Sequence, residues 1–86
     1  MDLRVNVFIL PLKSVSPQIN YSEDDIEKDP SYARLLRLIE RDVENAKTRK
    51  ARKCDISVDV ERHKIPAVRK LLEKKGYSVF VQGVYV

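Results

Sequence analysis

The strongest constraint on the fold is a stretch of strict alternation in the second half of the chain. Apolar side chains occupy every second position, at Cys54, Ile56, Val58 and Val60. Polar side chains fill the positions between and after them, at Asp55, Ser57, Asp59 and Glu61. Because side chains of a strand point alternately to its two faces, this stretch predicts a strand with one buried face and one wet face. A register shift of one residue would expose the whole apolar set, so the orientation of the strand is well defined.

A helix is predicted directly after this strand. Val68, Leu71 and Leu72 recur at helical spacing. Gly76 stands where glycine commonly ends a helix, because it tolerates a left-handed backbone conformation. We therefore expect a helix that begins between residues 64 and 66 and stops at Gly76.

The C-terminal segment is predicted to be extended over residues 77–81. Gln82 and Gly83 then either turn the chain into a fourth strand over residues 84–86 or form a glycine bulge within one strand. The sheet is accordingly expected to have three or four strands.

The best strand of the first half covers residues 3–10. Its odd-numbered residues form one apolar face, which consists of Leu3, Val5, Val7 and Ile9. Phe8 and Leu10 make the far end of the other face apolar as well. This pattern predicts a central strand that is covered at least partly on both sides. Pro11 has no N–H to donate to a sheet, so we expect the strand to end there.

The longest helix is predicted from residue 30 to about Lys47 or slightly beyond. Asp29 can accept hydrogen bonds from the first free amides, and Pro30 suits the first helical position. The apolar residues that follow form a single stripe along the helix. They are Tyr32, Leu35, Leu36, Ile39, Val43 and Ala46.

Residues 1–86 are predicted to form a single domain, a two-layer α/β sandwich of the α+β class in the order β-α-β-α-β(β). Both helices are expected on one face of the sheet, because the Cys54–Val60 strand has a polar outer face. We expect the core to consist of Leu35, Leu36, Ile39, Cys54, Ile56, Val58, Val60, Val68, Leu71 and Leu72. Since the chain has only one cysteine, no internal disulfide can support so small a core. Either this core is sufficient alone, or a second copy of the chain completes it in a homodimer.

Charge is divided unevenly along the chain. Residues 1–45 carry six Lys/Arg and nine Asp/Glu, a net charge of −3, whereas residues 46–86 carry eleven and four, a net charge of +7. Such asymmetry can mark a nucleic-acid surface at one end of a protein and an acidic decoy or partner site at the other, and it also arises when charged faces are merely solvated.

A basic run at the end of the first helix is the sharpest candidate for a binding surface. It consists of Lys47, Arg49, Lys50, Arg52 and Lys53. Five cations so close together can neutralise phosphates and release counterions, which predicts a small nucleic-acid-binding module. Cations also stabilise a helix C-terminus through the helix dipole, so a purely structural role is the alternative. The aromatic residues Tyr77, Phe80 and Tyr85 are either stacking platforms on the last strands or core residues.

A second candidate is the acidic part of the long connection between the first strand and the first helix. It contains Glu23, Asp24, Asp25 and Glu27. Ser22 and Asp25 match a capping box, which predicts a short helical turn. We expect this segment to make few core contacts and to bind a basic surface on a protein partner.

The sequence offers little for catalysis, so we expect no enzyme, cofactor or bound metal. His63 is predicted at a solvent-exposed helix entry, away from Cys54, which belongs to the apolar face of its strand. The acidic residues lack the ligand spacing of a calcium loop, and two glycines are too few for a phosphate-binding loop. No signal peptide or membrane span is expected, because the apolar run over residues 5–10 is too short, and a cytoplasmic location follows.

The segment from Asn45 to Val86 resembles small phage-encoded accessory proteins of unassigned function. In that pattern a helix that ends in alanine and basic residues leads into a strand like residues 53–58, then into a helix like residues 68–75, and into a Gly-Tyr pair like Gly76-Tyr77. Those proteins close on a strand that ends in Ser-Trp, whereas this chain ends in Val-Tyr-Val. The resemblance implies a phage or viral origin. The lack of catalytic residues, the charge segregation and the long acidic loop favour a viral accessory protein that binds a host protein and modulates or inhibits it, which would place it in the host cytoplasm. Nucleic-acid binding by the basic run is the alternative.

Overall fold

The computed structural model describes residues 3–12 and 21–82, which form three strands, three α-helices and one 3-10 turn. The elements in chain order are β1 (Arg4–Leu12), α1 (Glu23–Glu27), α2 (Pro30–Thr48), β2 (Lys53–Glu61), the 3-10 turn (Arg62–Lys64), α3 (Ile65–Lys74) and β3 (Ser78–Val81). This order confirms the predicted alternation of strands and helices. The predicted turn at Gly83 and the fourth strand lie outside the described residues.

The three strands form a parallel sheet with β1 between β2 and β3. Val7 pairs with Ile56 of β2 on one side and with Val79 of β3 on the other. These three side chains are buried, and so are the residues that share their face along β1 and β2, whereas Val81 at the end of β3 is 42% exposed. The strict alternation therefore predicted the buried face of β2 correctly.

Pro11 does not end β1, contrary to the sequence prediction. It is buried and pairs with Val60, and the strand continues to Leu12. The Ile9 carbonyl accepts a hydrogen bond from the Gln82 N–H at 2.9 Å, so this residue and the next but one direct their backbone polar groups toward β3. β3 ends at Val81, so no residue of β3 pairs with Pro11. The N–H that Pro11 lacks therefore interrupts no hydrogen bond between β1 and β3 in the described sheet.

The two long helices begin and end as the sequence predicts. The Asp29 carboxylate caps α2 by accepting a hydrogen bond from the Ser31 N–H at 2.9 Å, and Pro30 occupies the first helical position. α3 is followed by Gly76, whose φ of 91° lies in the left-handed region. Of the core residues expected in α2, Ile39 is fully buried, whereas Leu35 and Leu36 are only half-buried at its edge.

The helices and the sheet form two layers, as predicted. The buried residues of α1, α2, α3 and all three strands belong to one core on a single face of the sheet. Because the β1-to-β2 and β2-to-β3 connections cross the sheet in opposite directions on the same face, they have opposite hands. One of them is therefore left-handed, which is rare among parallel connections.

Candidate functional site

Basic side chains gather at the end of the molecule where the strands begin and the helices stop. Arg4 pairs with Lys53 across the sheet, and the Arg4 N–H donates to the Arg52 carbonyl at 3.0 Å. Lys47, at the end of α2, and Lys75, at the end of α3, line the same surface hollow of about 510 Å³, together with Tyr77. We call this surface the basic end; its cations are Arg4, Lys47, Arg49, Lys50, Arg52, Lys53 and Lys75.

The predicted basic run lies within this surface, and only two of its members have a carboxylate partner among the described residues. Lys47 lies 3.7 Å from Glu44 and Lys53 lies 3.9 Å from Asp55. Both pairs are well exposed, with at least 48% of each side chain accessible, so each stabilises the fold by no more than about 1 kcal/mol. These cations are therefore available to an anionic partner.

The end of α2 gives Lys50 an unusual backbone conformation. The Ala51 N–H donates to the Ala46 carbonyl at 2.9 Å and the Lys50 N–H to the Lys47 carbonyl at 3.0 Å, which is the Schellman arrangement. α3 ends in the same way, with Gly76 at the left-handed position. Lys50 occupies that position in α2 with a φ of 56°, so a charged side chain stands where glycine is the unstrained choice.

The acidic residues are better anchored than the sequence predicts. The capping box is confirmed, because the Asp25 N–H donates to Ser22 Oγ and the Ser22 N–H donates to the Asp25 carboxylate, both at 3.2 Å. The hydrogen bond from the Ser22 side chain is the main cause that lowers the pKa of Asp25. Ile26 is fully buried and Glu23 lies 3.0 Å from Lys74, so the expectation of few core contacts is wrong. Asp24 and Glu27, by contrast, are exposed.

Cys54 lies near the start of β2 and His63 lies in the 3-10 turn that follows its end, so the two are more than about 20 Å apart at the rise of an extended strand. Burial raises the pKa of the Cys54 thiol, whose S–H donates to the Asp42 carbonyl at 3.7 Å. The His63 side chain is only 6% exposed, with Nε2 at 3.2 Å from a Glu61 carboxylate oxygen. The prediction of a surface histidine is therefore wrong, whereas its place at the entry to a helix is confirmed.

A polar cluster closes the carboxyl edge of the sheet around this histidine. Lys64 Nζ lies 2.8 Å from Asp29 Oδ2 and 5.2 Å from the centre of the Tyr21 ring, which stacks on His63. A cavity of about 160 Å³ lies beside Asp29, Glu61 and Lys64. The hydrogen bond between Asp29 and Lys64 is the main cause that lowers the pKa of Asp29 and raises that of Lys64. Open α/β sheets commonly bind ligands at this edge, but here the charged groups are bound to one another.

The face of the sheet that the helices leave open carries an aromatic pair. Phe8 and Phe80 are sheet partners, and their rings stack with centroids 5.4 Å apart at an angle of 22°. Phe80 is 49% exposed. The sequence named Phe80 as a stacking platform or a core residue but did not connect it with Phe8, since no local pattern links residues so far apart.

Sequence reasoning missed Arg4 and Lys75 at the basic end and Lys64 at the carboxyl edge. None of them belongs to the basic run over residues 47–53, so only the fold reveals their neighbours. Within residues 3–12 and 21–82, no group of three or more His, Cys, Asp or Glu side chains is placed to hold a metal ion. None of the helices in these ranges is both long enough and apolar enough to span a membrane.

Comparisons with known proteins add no family to this description. No protein-family model matches the chain, and searches of curated proteins and of solved structures found no similar protein. The resemblance to phage accessory proteins therefore remains a prediction.

Proposed function

We propose that this protein is a non-enzymatic module that binds nucleic acid through the basic end. The observation that supports this proposal best is the convergence of seven cations from separate parts of the chain on one surface. The helix dipole favours cations only in the last turn of a helix. It therefore accounts for Lys47 but gives no reason for Arg4, Arg52 and Lys53, which belong to the strands and the preceding loop.

Lys50 gives independent support. A non-glycine residue in the left-handed region costs on the order of 1 kcal/mol, and α3 shows that this chain uses glycine at the equivalent position. Strained backbone conformations are found preferentially at functional sites. The lysine at this strained position therefore favours a role of its charge in binding.

Salt-dependent binding tests this function. The triple variant Arg49→Gln, Arg52→Gln and Lys53→Gln removes three charges from the basic end. We expect it to bind a 20-base-pair DNA duplex more weakly and to flatten the plot of log affinity against log salt by about two to three units, since each phosphate contact contributes roughly 0.9.

A matched control separates the basic end from net charge. Arg34→Gln, Arg37→Gln and Lys70→Gln remove the same charge from exposed positions of the helical layer and should leave the salt slope unchanged. If the wild-type protein binds neither DNA nor RNA at low salt, or if both triple variants lose the same affinity, the proposed function is wrong.

A second candidate is a viral accessory protein that binds a host protein and modulates it. The observation in its favour is that α1 is held by Ile26 and by the Glu23–Lys74 ion pair, which fixes the exposed Asp24 and Glu27 on an ordered turn. A fixed acidic patch binds a basic partner with a smaller loss of conformational entropy than a flexible loop does.

Capture from nuclease-treated bacterial lysate tests this candidate. We expect wild-type protein to retain a salt-sensitive protein partner that the double variant Asp24→Asn and Glu27→Gln retains poorly. Equal capture by both forms would move the interface away from α1, and no retained protein would exclude this candidate for that lysate.

A further inference from the structure

We infer that the open face of the sheet is a stacking platform for the bases of a single-stranded nucleic acid, whose phosphates are held by the adjoining basic end. This inference deepens the proposed function, on which it depends. It begins from the stacked pair of the half-buried Phe8 and the exposed Phe80, and from the cations that share the same face.

The open face is unusual for a parallel sheet. Parallel sheets are almost always covered on both faces, because their connections place helices there. Here the three helices lie on one face, and on the other face β2 exposes Asp55, Ser57 and Asp59. The described residues thus leave this face accessible to a partner.

The Phe8 and Phe80 side chains form the apolar centre of this face. Phe8 lies on the central strand and Phe80 on its neighbour, and the stacked pair leaves half of the Phe80 side chain exposed. Every base has an apolar π-face, so exposed aromatic rings on a sheet can stack unpaired bases of any sequence. The bases of a duplex are already stacked and present only their edges.

The charged residues on the open face indicate the path of the bound nucleic acid. Side chains at even positions of β1 point to the open face, so Arg4 shares that face with Phe8, and its sheet partner Lys53 lies beside it. Arg4 and Phe8 are four residue steps apart along β1, which is about 13 Å. Asp55 and Asp59 on β2 repel phosphates, so we expect the single-stranded nucleic acid to lie over β1 and β3.

The same observations argue against a protein on this face. Its apolar part is small, consisting of Phe8, Leu10 and Phe80, and carboxylates and hydroxyls surround it. Cores of protein–protein interfaces are depleted of charged residues and are larger and more apolar than this patch.

Binding of the full-length protein to fluorescein-labelled dT20, rU20 and a 20-base-pair duplex tests the inference. Phe8→Leu and Phe80→Leu remove the rings and keep an apolar side chain. We expect each to weaken dT20 and rU20 binding about 5- to 100-fold, which corresponds to the loss of one stacked base. Duplex affinity should change less than about twofold, and the salt slope should remain that of the wild type, since every cation is intact.

Leu38→Ala is the matched control, because Leu38 is 57% exposed on the helical layer. It should leave the affinity for all three probes unchanged. Circular dichroism of each variant shows whether the fold is retained, and Phe80→Leu carries the test alone if Phe8→Leu unfolds.

Failure of this inference and failure of the proposed function give different results. If dT20 and rU20 bind the folded phenylalanine variants as they bind the wild type, while the basic-end variant loses affinity, the platform is wrong and the proposed function stands. If the wild type binds no probe, both are wrong. If either phenylalanine variant changes the sedimentation of the free protein, a second copy occupies this face and the inference is overturned.

Discussion

The Asp29–Lys64 ion pair is expected to be one of the largest single polar contributions to the stability of this fold. It joins the start of α2 to the 3-10 turn before α3 at 2.8 Å, and only 15% of the Lys64 side chain and 17% of the Asp29 side chain are exposed. An exposed pair stabilises a protein by at most about 1 kcal/mol, whereas removal of one partner of a fully buried pair costs about 3–5 kcal/mol. This pair lies between those limits, so we expect a loss of about 2 kcal/mol.

Lys64→Met and Asp29→Asn test this value. Methionine keeps most of the aliphatic stem, and asparagine keeps an oxygen that can accept the hydrogen bond from the Ser31 N–H. Each variant should lower the free energy of unfolding by about 2 kcal/mol, or the melting temperature by about 10 °C in a domain of this size. In a double-mutant cycle measured by urea denaturation, the coupling energy should be about 1–2 kcal/mol. A coupling below about 0.5 kcal/mol between folded variants would refute the reasoning.

The pKa shifts set the pH range of this contribution. The pKa of Asp29 is lowered from 3.8, so its contribution is full above that value and is lost as pH falls through the lower pKa of the folded state. The pKa of Lys64 is raised from 10.5, so its contribution is full below that value and is lost as pH rises through the higher pKa of the folded state. Wild type and Asp29→Asn should therefore differ in stability at neutral pH and converge in strong acid.

Three further outcomes are expected from single sites. Lys50→Gly should leave the stability unchanged or raise it by up to about 1 kcal/mol, because glycine relieves the left-handed conformation, whereas Lys50→Val should lower it; thermal melts compare the two. Ile26→Ala should cost about 2–4 kcal/mol in urea denaturation, since Ile26 is fully buried, and a loss below about 1 kcal/mol would show that α1 is not anchored. Cys54 should react with a thiol reagent far more slowly in the folded protein than in urea, as followed by mass spectrometry, because burial raises its pKa.

Local patterns predicted the elements of this fold because each element carries its own signal. Alternation determined the inward face of β2, and the Asp29-Pro30 pair and Gly76 marked where helices begin and end. The prediction failed at Pro11, because whether a missing donor matters depends on which neighbouring strand lies beside it. Strand order and strand direction are long-range properties, and no single residue encodes them.

The candidate sites were predictable to the extent that their residues are neighbours in the chain. The basic run from Lys47 to Lys53 was found from the sequence, since its five cations lie within seven consecutive residues. His63 was placed on the surface because its burial depends on Tyr21, which stacks on it from a distant part of the chain. The Phe8–Phe80 pair was missed for the same reason.

Parallel topology explains how scattered cations become one surface. In a parallel sheet every strand begins at the same edge, and every helix that returns the chain to that edge ends there. The cations at the starts of β1 and β2 therefore meet those at the ends of α2 and α3, although Arg4 and Lys75 lie far apart in sequence. An antiparallel arrangement of the same segments would divide these charges between two edges. The basic end is thus a consequence of the topology as much as of the composition. The open face beside it results from the position of all three helices on the opposite face of the sheet.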